Sequence, residues 1–340
     1  MKNFQPTATA YNGHNALVLA QASHLAYRDR AEIQLQAAQW GFPTFHWFDQ
    51  ETTQGYLIAN DQAIILVFRG TEMRNLRDWL TNSQVGKRSL LSTSKRPKRI
   101  RRKLVPSPTA QHPSSSNPSA CESTDGATRH STHHSVESCL VSDRPTDHPS
   151  PAPGQRYSIH RRDRIAQSRV HQGFWNALQS VWSEIRTALA TVRDRQQPLY
   201  ITGHSLGGAL AILAAAQFAQ AGEPIQAVYT YGAPRVGNRS FQQQFNAQLQ
   251  DRTFRLVNDA DIVPRLPAVT LGYIHTGQVF HFNAIGTLQL YCDRKNQRLR
   301  RLGRGLLRWL DGDLEEVRDH SITAYETRLR NALPSLSLTE

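Results

Sequence analysis

Three cysteines in 340 residues, an odd number, are too few for the disulfide scaffold that small secreted domains rely on. No run approaches the roughly eighteen apolar residues that would cross a bilayer as a helix. Residues 1–20 also lack a basic start leading into an apolar stretch. Their best run, residues 16–20, is too short for a secretory core, so the expectation is a cytoplasmic protein, at most peripheral to a membrane. Acidic residues are outnumbered, 27 Asp and Glu against 40 Lys and Arg, which gives a formal charge of +13. Such an excess suggests nucleic acid or an anionic surface, and where it sits decides the reading.

The excess is local. Residues 87–169 hold 16 Lys and Arg against 6 Asp and Glu, a net +10 that leaves only +3 elsewhere. The same span carries 9 of the 17 prolines, much Ser, Thr and His, and no helical or strand period. It cannot bury enough apolar surface to offset chain entropy, so it is expected to be a disordered insertion. Residues 1–86 and 170–340 would then form a single domain. Within the insertion, the run from Lys95 to Lys103 is a solvated charge cluster or a contact for anionic lipid headgroups. Without interleaved aromatics it argues against nucleic acid. Cys121, His130, His133, His134 and Cys139 match no regular zinc spacing, and no metal is expected.

The remainder alternates strand-like and helix-like stretches. Residues 63–68 are continuously apolar, as a strand covered on both faces should be. Residues 172–192 and the alanine-rich 205–220 read as helices. Residues 198–202, 225–231 and 253–257 read as strands. This alternation predicts an α/β fold, a mostly parallel central sheet with helices on both faces, with chemistry at the carboxyl ends of the strands.

Gly203-His204-Ser205-Leu206-Gly207 fits G-x-S-x-G, preceded by a strand and opening a helix. That context is what a nucleophile elbow requires, and it points to an α/β-hydrolase with Ser205 as nucleophile. The N–H of Leu206, the following residue, is the expected oxyanion donor. A serine needs a base and an orienting carboxylate, which follow it in the order acid, then histidine. Asp259 and Asp261 lie just past the strand 253–257, and Asp261 precedes an apolar, proline-fixed segment. His275, His281 and His320 are the histidines that follow; the first two flank a probable strand, and His320 opens the last helix. This chemistry needs no metal or organic cofactor.

Six segments, in order, resemble the class 3 lipase family. They are Val67-Phe68-Arg69-Gly70-Thr71, Val170-His171-Gln172-Gly173-Phe174, and Gly203-His204-Ser205-Leu206-Gly207-Gly208. The others are Tyr231-Gly232-Ala233-Pro234-Arg235-Val236-Gly237, Asp261-Ile262-Val263-Pro264-Arg265-Leu266-Pro267 and Asp319-His320. The resemblance implies an α/β-hydrolase with Asp261 as the acid, His320 as the base and Thr71 as a second oxyanion donor. It implies a serine hydrolase of lipid esters, triacylglycerol lipase-like, with phospholipid or galactolipid acylhydrolysis as the neighbouring alternative. A catalytically silent hydrolase fold that binds membranes or nucleic acid through the insertion is the alternative of another class. Residues 72–80 occupy the place of the family's lid. The insertion and residues 298–310 have no place in the family pattern.

Overall fold

Ile64–Phe68 is five consecutive buried apolar residues, so both faces of that strand must be covered. In the computed structural model Ile64, Leu66 and Phe68 pack into one apolar cluster and Ile65 and Val67 into another, on opposite sides of the same sheet. The structure describes residues 1, 3–50, 53–71, 87–89, 167–193, 197–290 and 318–336. Residues 1–92 and 163–340 form one compact unit. The lid position at residues 72–80, the basic run, the three cysteines and residues 298–310 lie outside the described residues.

Two helices, α1 (Gly13–Leu25) and α2 (Arg30–Gln39), precede the strands β1 (Thr44–Gln50), β2 (Thr53–Ala59) and β3 (Ile64–Phe68). Next come β4 (Lys87–Ser89), β5 (Arg169–His171), α3 (Gln172–Val192), β6 (Leu199–His204), α4 (Leu206–Gln220) and β7 (Ala227–Tyr231). The chain continues through α5 (Arg239–Leu249), β8 (Thr253–Asn258), β9 (Gln278–Phe282), β10 (Leu288–Leu290) and α6 (Ile322–Leu336). The main sheet has the order β1-β2-β3-β6-β7-β8-β9-β10. From β3 through β9 every pairing is parallel, and the antiparallel β1 and β2 flank one side and β10 the other. Residues of α3, α4 and α5 fill one cluster, and those of α1, α2 and α6 fill the other. This is the mostly parallel central sheet with helices on both faces that the alternation implied, in the α/β-hydrolase arrangement that the elbow pointed to. Among the described residues no helix is long and apolar enough to cross a membrane.

Local chemistry explains the elements that carry the site. In α4 the sequence LGGALAILAAAQFAQ combines strong helix formers with small side chains, and nearly every residue is buried against the sheet. Helix α2 does not show in the apolar pattern because only Ile33 and Ala37 are buried. Its signal is the cap: Asp29 Oδ1 accepts the Glu32 N–H at 2.9 Å. Lys87–Ser89 pairs antiparallel with Arg169–His171, so the ends of the 87–169 span meet as a two-stranded ladder.

Candidate active site

Ser205 stands between β6 and α4 with φ 57 and ψ −127, a conformation that costs a non-glycine residue about 1–3 kcal/mol. The surroundings enforce it. The Ser205 N–H donates to the Tyr231 carbonyl at 2.9 Å, fixing the turn to the neighbouring strand. A Cβ on Gly203 would lie 2.3 Å from the Gly207 carbonyl carbon, and one on Gly207 would lie 2.2 Å from the Phe68 oxygen. Only glycines let β3, the elbow and α4 approach this closely. Leu206 begins α4, so its N–H is among the four helix-start donors without an intrahelical acceptor.

Asp261 reaches the serine from the loop after β8, and His320 from the helical turn just before α6. His320 Nε2 lies 2.9 Å from Ser205 Oγ, and His320 Nδ1 lies 3.0 Å from both Asp261 oxygens. All three residues are buried. Asp261 follows β8 by three residues, and Oδ1 accepts the Val263 N–H at 2.9 Å. With Nδ1–H directed at a carboxylate, Nε2 carries the lone pair that faces the serine hydroxyl. This is the hydrogen-bonded order nucleophile, base, orienting acid.

The other candidates fall away from the serine. Asp259 and His281 pair with each other at 3.4 Å. His275 Nε2 is bonded to the Pro264 carbonyl at 2.7 Å, and burial holds its imidazole well below the ordinary range. Asp319, next to the base, is structural: its carboxylate accepts the Ala260 N–H at 3.1 Å and an Arg328 N–H at 3.0 Å. The Asn258 amide also donates to the Asp319 carbonyl at 2.7 Å. Asp319 therefore ties the loop that holds Asp261 to the helical turn that holds His320.

On the oxyanion side, β3 ends beside the elbow, with Phe68 paired to Gly203. A Cβ on Gly70 would lie 3.2 Å from Ser205 Cβ, so residues 69–71 pass directly against the nucleophile. Thr71, next along, is half-buried. The loop thus lies where a second donor belongs.

Three site residues were not foreseen. Tyr325, on α6, donates to Asp261 Oδ2 at 2.6 Å and accepts the Asn258 N–H at 3.0 Å. Burial, the adjacent Asp261 charge and this hydrogen bond all push its phenol up, so the proton stays on Tyr325. Gly232, at φ 60, leaves the room the triad needs: a Cβ there would lie 2.6 Å from Asp261 Oδ2 and 3.0 Å from His320 Nδ1. His204 packs against His320 with ring centroids 4.6 Å apart and planes tilted by 36°, and burial, then the neighbouring His320, hold it well below the usual histidine range. Of these, Gly232 and His204 had a sequence signal, as parts of the 231–237 and 203–208 motifs, and Tyr325 had none. Among the described residues no group of three or more His, Cys, Asp or Glu could hold a metal.

Residues 129–271 match the family model described as lipase (class 3). The match contains Ser205 and Asp261, and it begins inside the 87–169 span. A secreted mono- and diacylglycerol lipase of Fusarium solani is 40% identical over 116 residues, 34% of each chain. A lipase of Rhizomucor miehei is 37% identical over 126 residues, 34% of this chain and 33% of the relative. The chain thus spans about a third of the length of these curated relatives. The solved structure of Rhizomucor miehei triacylglyceride lipase aligns with a TM-score of 0.47 at 19% identity, over 80% of this chain and 82% of that one. The secreted relatives, from Fusarium solani and Penicillium cyclopium, overturn the expectation of a cytoplasmic protein and point outside the cell. That expectation rested on the weakly apolar residues 1–20, and a missing leader pattern there carries no weight on location. By the matched segment and these relatives, residues 129–271 are similar to the class 3 lipase family.

Proposed function

We propose that the protein is a serine carboxylic-ester hydrolase of lipid esters, working through an acyl-enzyme on Ser205. One observation carries the reading: His320 Nε2 stands 2.9 Å from Ser205 Oγ while Asp261 holds the opposite ring nitrogen. His320 takes the hydroxyl proton as Oγ attacks the ester carbonyl carbon. Asp261 keeps the ring oriented and stabilises the imidazolium. The tetrahedral oxyanion is received by the Leu206 N–H at the start of α4 and by Thr71 from the adjoining loop. His320 then returns the proton to the departing alcohol. Water, activated by the same imidazole, hydrolyses the acyl-enzyme and restores Ser205.

The names of the relatives, lipase and secreted mono- and diacylglycerol lipase, support acylglycerols as the first substrates and a site of action outside the cell. The charge cluster from Lys95 to Lys103 supports contact with anionic lipid surfaces, at about 1 kcal/mol per basic residue held near the surface.

The test is a panel of soluble p-nitrophenyl esters, tri-, di- and monoacylglycerols, phospholipids and galactolipids, each assayed with wild type and Ser205→Ala. Acylglycerol hydrolysis lost in the variant is the expected result. Preference for a polar lipid moves the substrate to the acylhydrolase alternative. No turnover on any ester makes this a silent hydrolase fold.

A further inference from the structure

Nucleophile, base and oxyanion loop come from separate parts of the chain, and Tyr27 and His204 touch all three through two hydrogen bonds and one close packing contact. Gly70, in the oxyanion loop, packs against the Tyr27 hydroxyl oxygen. The Tyr27 hydroxyl lies 2.7 Å from His204 Nδ1, and His204 Nε2 lies 2.6 Å from the backbone carbonyl oxygen of His320. A carbonyl can only accept, so Nε2 carries the hydrogen. Nδ1 is then a lone pair, and Tyr27 must donate to it. Both polarities are thereby fixed: Tyr27 to His204, and His204 to the main chain of His320. Burial reinforces this order by holding the His204 imidazole neutral and the Tyr27 phenol protonated.

Packing leaves these contacts little slack. A Cβ on Gly70 would lie 2.1 Å from the Tyr27 oxygen and 2.6 Å from the His204 carbonyl oxygen, so only glycine admits the contact. The Arg69 guanidinium lies 5.7 Å from the Tyr27 ring centroid, and its Nη1 donates to Gln54 Oε1 at 2.6 Å. His204 is also the residue bonded directly to the nucleophile in sequence. Its ring therefore ties the main chain of the base to the strand end that presents Ser205.

We propose that Tyr27 and His204 are positioning residues, which hold the oxyanion loop and the His320 main chain in register with Ser205. The inference rests on the hydrolase reading above. A misplacement of about 1 Å in such a site can cost on the order of 100-fold in rate. Tyr27→Phe removes a single oxygen, so His204 Nδ1 loses its partner and Gly70 loses the oxygen it packs against. It should lower kcat on p-nitrophenyl butyrate by about 10- to 100-fold with KM within about twofold of wild type. His204→Gln can still donate to the His320 carbonyl and accept from Tyr27, so it should retain more activity than His204→Leu. Tyr27→Phe combined with His204→Leu should be no worse than His204→Leu alone, because both cut the same link.

Tyr56→Phe is the control for a purely structural hydroxyl. Tyr56 is buried and donates to the Ala22 carbonyl at 2.7 Å, away from the site. Its loss should lower the unfolding temperature and leave kcat unchanged. The inference is overturned if Tyr27→Phe keeps kcat within about twofold of wild type, or if Tyr56→Phe lowers kcat equally. Fluorophosphonate labelling separates the two levels. An unlabelled wild type sinks the hydrolase reading and this inference together. A labelled wild type with an unimpaired Tyr27→Phe sinks this inference alone.

Discussion

Replacing Tyr325 by phenylalanine deletes one oxygen and leaves the packing of α6 against the sheet intact. Two hydrogen bonds go with it: the 2.6 Å bond donated to Asp261 Oδ2 and the 3.0 Å bond accepted from the Asn258 N–H. The first is charge-assisted, worth about 1.5–3 kcal/mol, and the second leaves a buried backbone donor without its acceptor. Together they should destabilise the fold by roughly 3 kcal/mol, a fall of about 6–12 °C in Tm for a domain of this size. Asp261 keeps the Val263 N–H at 2.9 Å and its contact with His320, so the carboxylate loses one of its restraints. Turnover should fall about tenfold, or 1.4 kcal/mol, with little change in KM. Thermal unfolding by circular dichroism and hydrolysis of p-nitrophenyl butyrate measure the two effects. Wild-type Tm and kcat together would refute the assigned contact. A loss beyond about 1000-fold would mean that the hydroxyl takes part in proton transfer and does more than orient the acid.

Ser205→Ala and His320→Ala should each cost about three to six orders of magnitude in kcat, and the double variant little more, since the groups act as a unit; additive losses in steady-state assays would break the triad assignment. Excision of residues 93–162 leaves 90–92 and 163–168 to close the hairpin between β4 and β5, whose residues Ser89 and Arg169 are ladder partners. The shortened protein should fold and hydrolyse soluble esters while losing salt-sensitive binding to anionic vesicles; aggregation of an otherwise well-expressed product would show that the span is structural. His171 is buried, caps α3, and has its pKa lowered by burial to about 4. Its folded value lies below the unfolded value of about 6.5, so the unfolded state binds the extra proton and stability is lost as pH falls from 6.5 towards 4. Urea titrations at pH 7 and pH 4.5 should show a smaller acid loss in His171→Asn, which keeps a capping oxygen, by roughly 2–3 kcal/mol at most; equal losses would exclude His171 as a source.

What could be read ahead of the structure follows from how local each signal is. The elbow is a contiguous strand–turn–helix that Gly203 and Gly207 announce, although the contact that demands Gly207 is with Phe68 on the neighbouring strand. Residues 64–68 declare a doubly covered strand by composition alone. The choice of Asp261 over Asp259, and of His320 over His281, needed the resemblance, because the pairing of Asp259 with His281 is a tertiary event between β8 and β9. The roles of Tyr325, Tyr27 and His204 were out of reach for the same reason: each acts through a partner far along the chain. Helix α2 was overlooked because the apolar period fails in a helix that buries only two side chains, although Asp29 and Glu32 mark its start.

The central claim is that Ser205 is an activated nucleophile, and covalent trapping tests it most directly. The wild-type protein is incubated with a fluorophosphonate at neutral pH, digested, and the modified peptide sequenced by mass spectrometry. The account predicts a single adduct on Ser205, strongly slowed in His320→Ala and missing in Ser205→Ala. An adduct on another serine, or equal labelling of Ser205→Ala, would contradict it.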